Sequence, residues 1–119
     1  MANKKNNLEI YQKYSELIDY TYNLVKKYPK YETFVLVQEI KCNMISGLKN
    51  LMYAIKIYNI HRKLDYLNEF DINLSLFKFY IRLSYKYQYI SLQNYQTWSK
   101  LITDICNMLG GWINSCQKK

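Results

Sequence analysis

Apolar residues recur along most of this chain at steps of three and four, the period of helices with one covered face, and four such runs follow one another. In the first, predicted over 8–27, Ile10, Tyr14, Leu17, Ile18, Leu24 and Val25 share a face. It stops before Pro29, whose ring disfavours helical geometry at Tyr28. A second helix is predicted over 31–57, with Pro29 near its first turn, where a missing N–H costs little. The third, over 63–88, turns Leu67, Leu74, Phe77, Ile81 and Ser84 inward. Ser91 is a suitable N-cap for the fourth, over 92–116, whose wide stripe is Tyr95, Trp98, Leu101, Ile102, Ile105, Met108 and Leu109. Short connectors make an all-α, antiparallel up-down four-helix bundle over 8–117 the economical topology, preceded by a disordered basic tail over 1–7.

Two stretches break the simple pattern. Between Cys42 and Ile55 the only charge is Lys49, while Met44, Ile45, Leu48, Leu51, Met52 and Ile55 spread apolar surface around most of the second helix. Such a helix has to be covered on two sides, which predicts self-association through residues such as Ile45, Leu48 and Met52. Gly47 beside Ser46 fits either a close crossing there or a small residue in a crowded core. The second break is Gly110-Gly111, just before Trp112, since each glycine costs a helix interior roughly 1 kcal/mol relative to Ala. Either the helix ends there with Trp112 folded back, or a backbone approaches closely. Leu at either glycine is therefore predicted to disturb packing near Trp112.

Composition narrows the class. At 119 residues, half of them apolar, the chain is one small domain with a modest core, and a single Pro with three Gly is too little punctuation for a sandwich or barrel. The formal charge of +8 favours an anionic partner, although an AT-rich genome would raise Lys, Asn, Ile and Tyr together. Lys78, Arg82 and Lys86 are spaced by four and lie on one side of the third helix, with Tyr85 and Tyr89 beside them. Positive charge interleaved with aromatic rings suits phosphate contact and stacking on unpaired bases. A solvated face in a Tyr-rich protein is the plain alternative. Lys26, Lys27 and Lys30 form a second cluster, of which Lys26 and Lys27 also suit the negative end of the first helix dipole.

Enzymatic chemistry has no visible basis. Cys42, Cys106 and Cys116 are odd in number and widely spaced, and His61 stands alone, so no metal site is expected. No nucleophile has a paired base and no Gly-rich phosphate loop occurs, which leaves a noncatalytic binding or scaffolding component with no cofactor. No uncharged stretch reaches the ~20 residues of a membrane span, so the expectation is a cytoplasmic, thiol-reduced protein without a membrane partner.

Taken together, these features resemble the accessory variability determinant (Avd) proteins of diversity-generating retroelements, within the wider four-helix-bundle group that includes proteins encoded in ribosomal RNA intervening sequences. Tyr28-Pro29-Lys30 followed by Phe34, Leu36 and Ile40 looks like the family's aromatic-Pro-Lys approach to its second helix. Arg82-Leu83-Ser84 resembles its Arg-Leu-small motif, and Ser91-Leu92-Gln93-Asn94-Tyr95 the start of its last helix. The most specific match is Asp104-Ile105-Cys106-Asn107-Met108-Leu109-Gly110-Gly111-Trp112-Ile113, similar to an acidic-Ile-Gly-basic-Met-Leu-Gly-Gly-Trp ending. In the second helix, the intervening-sequence relatives carry a small-residue stretch leading to an acidic-Gly pair. This chain has Cys42-Asn43-Met44-Ile45-Ser46-Gly47-Leu48 instead, which favours the Avd branch.

The resemblance implies a noncatalytic partner of a retroelement reverse transcriptase that forms a ring-shaped homopentamer and engages template RNA or its cDNA during mutagenic copying. Thr33, Glu39, Asn107 and Asn114 stand where the family usually has basic residues, and Cys106 where it has Gly. The cationic contacts that remain are Arg82 by motif and Lys78 and Lys86 by spacing. The alternative function is a bundle scaffold of the intervening-sequence type that binds protein and no specific nucleic acid.

Overall fold

The structure, a computed structural model, describes residues 3–118, with side chains described from Asn7 onward. Among them are four helices and no strand: α1 Asn3–Val25, α2 Leu36–Lys56, α3 Ile60–Lys86 and α4 Leu92–Gln117, with a 3₁₀ turn at Lys30–Glu32 between α1 and α2. A 27-residue helix is about 40 Å long, so α3 runs nearly the full 46 Å length of the molecule. The helices pack in cyclic order, with α2 against α3, α3 against α4 and α4 against α1; the α1–α2 edge is the loosest.

The inward residues expected of each helix form one core. Ile10, Tyr14, Leu17, Leu74, Phe77, Ile81, Trp98, Ile102 and Ile105 are all but inaccessible, whereas Ile18, Leu101 and Met108 lie at its margin. Buried polar groups pair across helices and fix the register. The Trp98 Nε1–H donates to Thr21 Oγ1 at 3.0 Å, joining α4 to α1. Between α2 and α3, the Asn43 amide donates to the Asn73 carbonyl and the Asn73 amide to Asn43 Oδ1, both at 2.9 Å, while Asn50 donates to Asn73 Oδ1 at 2.7 Å. Each pairing avoids the penalty of about 1–3 kcal/mol for an unpaired buried polar group.

Helix ends differ from the sequence expectation where side chains outside the periodic pattern take part. Helix α1 already includes 3–7, expected as a disordered tail, because Asn3 to Asn7 contain no breaker; Met1 and Ala2 lie outside the described residues. Helix α2 starts at Leu36 rather than 31. Pro29 is extended, at ψ 144°, and a 3₁₀ turn follows it through Glu32 N–H to Pro29 O and Thr33 N–H to Lys30 O. Val35 then leaves helical geometry, and Glu32 reaches forward to accept from the Leu36 N–H at 3.3 Å. Helix α3 begins three residues early because Asn59 caps it, accepting from Arg62 N–H at 3.0 Å. Ser91 caps α4 as expected, accepting from Asn94 N–H at 3.1 Å.

At the C-terminus of α3, Tyr89 N–H bonds Ser84 O and Gln88 N–H bonds Tyr85 O, a Schellman arrangement. It places Gln88 at φ 64°, where an L side chain crowds its own backbone. Gln88→Gly is therefore expected to stabilise the bundle by about 0.5–1 kcal/mol, read from urea unfolding.

Neither reading of Gly110-Gly111 holds within the chain. Helix α4 continues through both to Gln117, and a Cβ built on either would meet nothing within 4 Å. Trp112 is buried while both glycines are exposed, and Gly111 shares an open groove with Trp112, Met108, Asn107 and Glu9, so in a single chain a Cβ added at either glycine does not press on Trp112. With both positions open, Gly110→Ala and Gly111→Ala are expected to raise the stability of the isolated chain by about 1 kcal/mol each.

Candidate nucleic-acid interface

Helix α3 separates two roles by its period. Phe77, Ile81 and Ser84 turn into the core, while Lys78, Arg82 and Lys86 emerge into solvent as a row with a rise of about 6 Å per step. Lys78 and Arg82 line an open groove against α4 with Ile81, Tyr95, Ser99 and Thr103. At one end of it Tyr85 stacks on Tyr95, with ring centroids 4.7 Å apart and planes at 21°. The ion pairs between described side chains are Lys13–Glu16 and Lys100–Asp104. No described carboxylate therefore forms an ion pair with the α3 row. Lys78 instead sits beside Cys106, drawing the thiol pKa down against the stronger upward push of burial, to which Asp71 adds.

The row runs toward the end of the bundle where α1 finishes and α2 begins. There Lys26, Lys27 and Lys30 are exposed, Lys26 and Lys27 just beyond the last residues of α1. Lys86 lies over the Tyr87 ring, 5.8 Å from its centroid.

Tyr89, read from sequence as a neighbour of the basic row, is held by the fold. Its hydroxyl donates to Glu32 Oε2 at 2.6 Å, and its ring packs 5.2 Å from Tyr28. That bond pushes the Tyr89 pKa well above the usual phenol range, with the Tyr31 hydroxyl adding to it. Behind it the Tyr28 hydroxyl donates to Ser84 Oγ at 2.6 Å, and Ser84 donates in turn to the Tyr80 carbonyl. The pKa of Tyr28 is pushed up to about 12 by burial and the Glu32 charge, against the lowering effect of the Ser84 bond.

Tyr14 and Tyr80 are also raised, mainly by burial. A raised phenol pKa lets the native state keep a proton that the unfolded chain loses near pH 10. The stabilisation is thus complete below that pH and is lost as pH climbs toward the native values. The unfolding free energy in urea is expected to be level to about pH 9 and then to fall, by about 1.4 kcal/mol per pH unit for a tyrosine as buried as Tyr14. Tyr28→Phe should make the fall shallower.

The residues read as oligomer or packing positions divide. Ile45 and Met52 are each 39% exposed on the outer side of α2 toward α1, and Leu48 is half-buried beside them. Gly110 and Gly111 are exposed, and Trp112 is buried. Gly47 faces the interior, directly beneath the Tyr14 hydroxyl. Trp112 belongs to the far end of the bundle, where Lys63 lies 5.7 Å from its ring centroid and donates to the Ala54 carbonyl.

Sequence periodicity missed the most exposed rings near the row. Tyr31 is 73% exposed, Phe34 83% and Tyr87 55%, all in or beside connectors where no helical stripe marks them. The signals in sequence were proximity to Lys30 and Lys86 for Tyr31 and Tyr87 and, for Phe34, its place in the family-like approach to the second helix. Among the described residues no group of His, Cys, Asp and Glu could hold a metal ion, and no helix is long and apolar enough to cross a membrane.

No curated protein matches the chain. The bAvd-like family does, over residues 8–116, a span that takes in the basic row, the aromatic end and the Gly-Gly-Trp segment alike. Matched over nearly its whole length, the chain belongs to the bAvd-like family.

Proposed function

We propose that this protein is the noncatalytic accessory subunit of a diversity-generating retroelement, a ring of five chains that binds the reverse transcriptase and holds template RNA or its cDNA during mutagenic copying in the cytoplasm. The observation that carries the reading is family membership across 8–116 together with a row of Lys78, Arg82 and Lys86 on an exposed helix face, in no ion pair with a described carboxylate. Lys26, Lys27 and Lys30 extend the positive surface at the bundle end, and Tyr85 offers a ring beside the row.

Assembly has its own support. Exposed Ile45 and Met52 leave apolar surface on α2, and two open glycines sit inside α4 where Ala would be preferred for a lone helix. Coverage by a neighbouring chain accounts for both. A ring multiplies the basic row, so contacts that are weak singly add through multivalency.

The test is a salt titration of binding to labelled template RNA. Three phosphate contacts on a single strand give a log–log slope of about −2, steeper if several subunits engage the same molecule. A slope near zero, or binding to the polymerase with no RNA affinity, would instead support a protein-binding scaffold of the intervening-sequence type.

A further inference from the structure

We propose that the end of the bundle carrying Tyr31 and Tyr87 is a stacking platform for unpaired bases, so that the protein selects single-stranded over duplex RNA. The inference rests on the RNA-binding reading above and adds to it which strands are accepted and which side chains choose them.

Three observations converge on this end. Tyr31 and Tyr87 are 73% and 55% exposed, yet neither ring hangs free, because both pack on the immobilised Tyr89, at centroid distances of 6.4 Å and 6.2 Å. Tyr89 is itself locked by Glu32 and by Tyr28, so the exposed rings are backed by a rigid support and lose little freedom when a base is laid on them. Tyr31 meets Tyr89 at 70°, an edge contact rather than a parallel stack, so the two rings do not lie flat on one another.

The second observation is charge. Lys30 precedes Tyr31, Lys86 lies over Tyr87, and Lys26 and Lys27 precede the supporting Tyr28. Of the carboxylates near this end, Glu32 is occupied by the Tyr89 hydroxyl and the Leu36 N–H, and Glu39, in the first turn of α2, forms no ion pair with a described lysine. The ligand that complements exposed rings set among uncompensated lysines is planar and anionic. The third is continuity. Lys78, Arg82 and Lys86 lead along α3 to Tyr87, so a strand tracked by its phosphates along the row arrives at the rings with its next bases over them. In a duplex the base faces are already stacked on one another and unavailable, which is the source of the selectivity.

The experiment measures fluorescence anisotropy of the full chain with a labelled 12-nucleotide oligo-U and with a hairpin duplex, for wild type, Tyr31→Ala, Tyr87→Ala and the double variant. Both rings are exposed, so circular dichroism should confirm that the variants fold, and Tyr31→Phe and Tyr87→Trp test rescue. Each Ala substitution is expected to weaken oligo-U binding about 5- to 100-fold, to leave hairpin binding unchanged, and to leave the salt slope at its wild-type value, because no phosphate contact is lost. Phe and Trp should restore the affinity. Equal binding of strand and hairpin by wild type, or Ala variants with undiminished oligo-U affinity, overturns the platform while leaving RNA binding intact. Ala variants that keep RNA but lose the polymerase overturn it in favour of a protein contact. Wild type that binds neither RNA overturns the platform and the RNA-binding reading together.

Discussion

Gly47→Ala is expected to destabilise the bundle by about 2–4 kcal/mol, a large fraction of the total stability of a small domain. The Cβ would lie 2.4 Å from the Tyr14 hydroxyl oxygen and 3.3 Å from both Tyr14 Cζ and Asn73 Cβ. Tyr14 has no way to yield. It is fully buried, its ring packs edge-on against Phe70 at 5.1 Å, and its hydroxyl donates to the Met44 carbonyl at 2.7 Å. Moving it would break that bond and open the α1–α2 edge, already the least extensively packed of the four. The double variant Gly47→Ala/Tyr14→Phe tests the cause, because removing the hydroxyl removes the closest contact. Its stability should exceed that of Gly47→Ala alone, a coupling of about 1–2 kcal/mol in urea unfolding. Additive losses would mean that Gly47 is required for some reason other than the Tyr14 hydroxyl.

Reversing the charge of Lys78, Arg82 and Lys86 together to Glu is expected to weaken RNA binding by at least about 100-fold at physiological salt and to flatten the log–log salt slope by about 2. The three side chains are exposed and paired with no described carboxylate, so the change should leave the melting temperature within a few degrees of wild type. Exposure is what makes this test of function separable from folding. A single Lys78→Gln change will be less clean, because Lys78 also stands beside Cys106 and part of its effect will be local. Unchanged RNA affinity in the triple variant would remove the α3 row from the account and move attention to Lys26, Lys27 and Lys30.

The four helices were legible because their inward stripes keep a period near 3.6 for more than twenty residues. Tyr14, Leu74, Phe77, Trp98 and Ile105 could be placed in the core from spacing alone. The Ser91 cap was legible for the same kind of reason, a local side-chain bond written in adjacent residues. What escaped the sequence was long-range or backbone in origin. Glu32 captures both Tyr89 and the start of α2, contacts separated by 57 and 4 positions, and no local pattern announces the first. Asn43 and Asn73 read as ordinary polar interruptions until they face one another.

Glycine was the least transparent residue type. Gly47, which could have been a merely tolerated small residue, is required by a side chain thirty-three positions away, while Gly110 and Gly111, the apparent anomaly, have open space around them. Sequence shows that a glycine is unusual where it stands; only the fold shows whether anything approaches it. The basic row was visible because it lies on a long helix, whereas Tyr31 and Tyr87 sit in or beside turns and became candidates only when the fold brought them together on Tyr89.

On the proposed function, this chain assembles and, assembled, serves a reverse transcriptase. That function is tested most directly by the light-scattering mass of the purified protein, alone and mixed with the reverse transcriptase encoded in the same retroelement. The expected result is a particle of five times the 14.5 kDa chain mass that takes up one polymerase. A particle of 14.5 kDa that stays unchanged when the polymerase is added would contradict it.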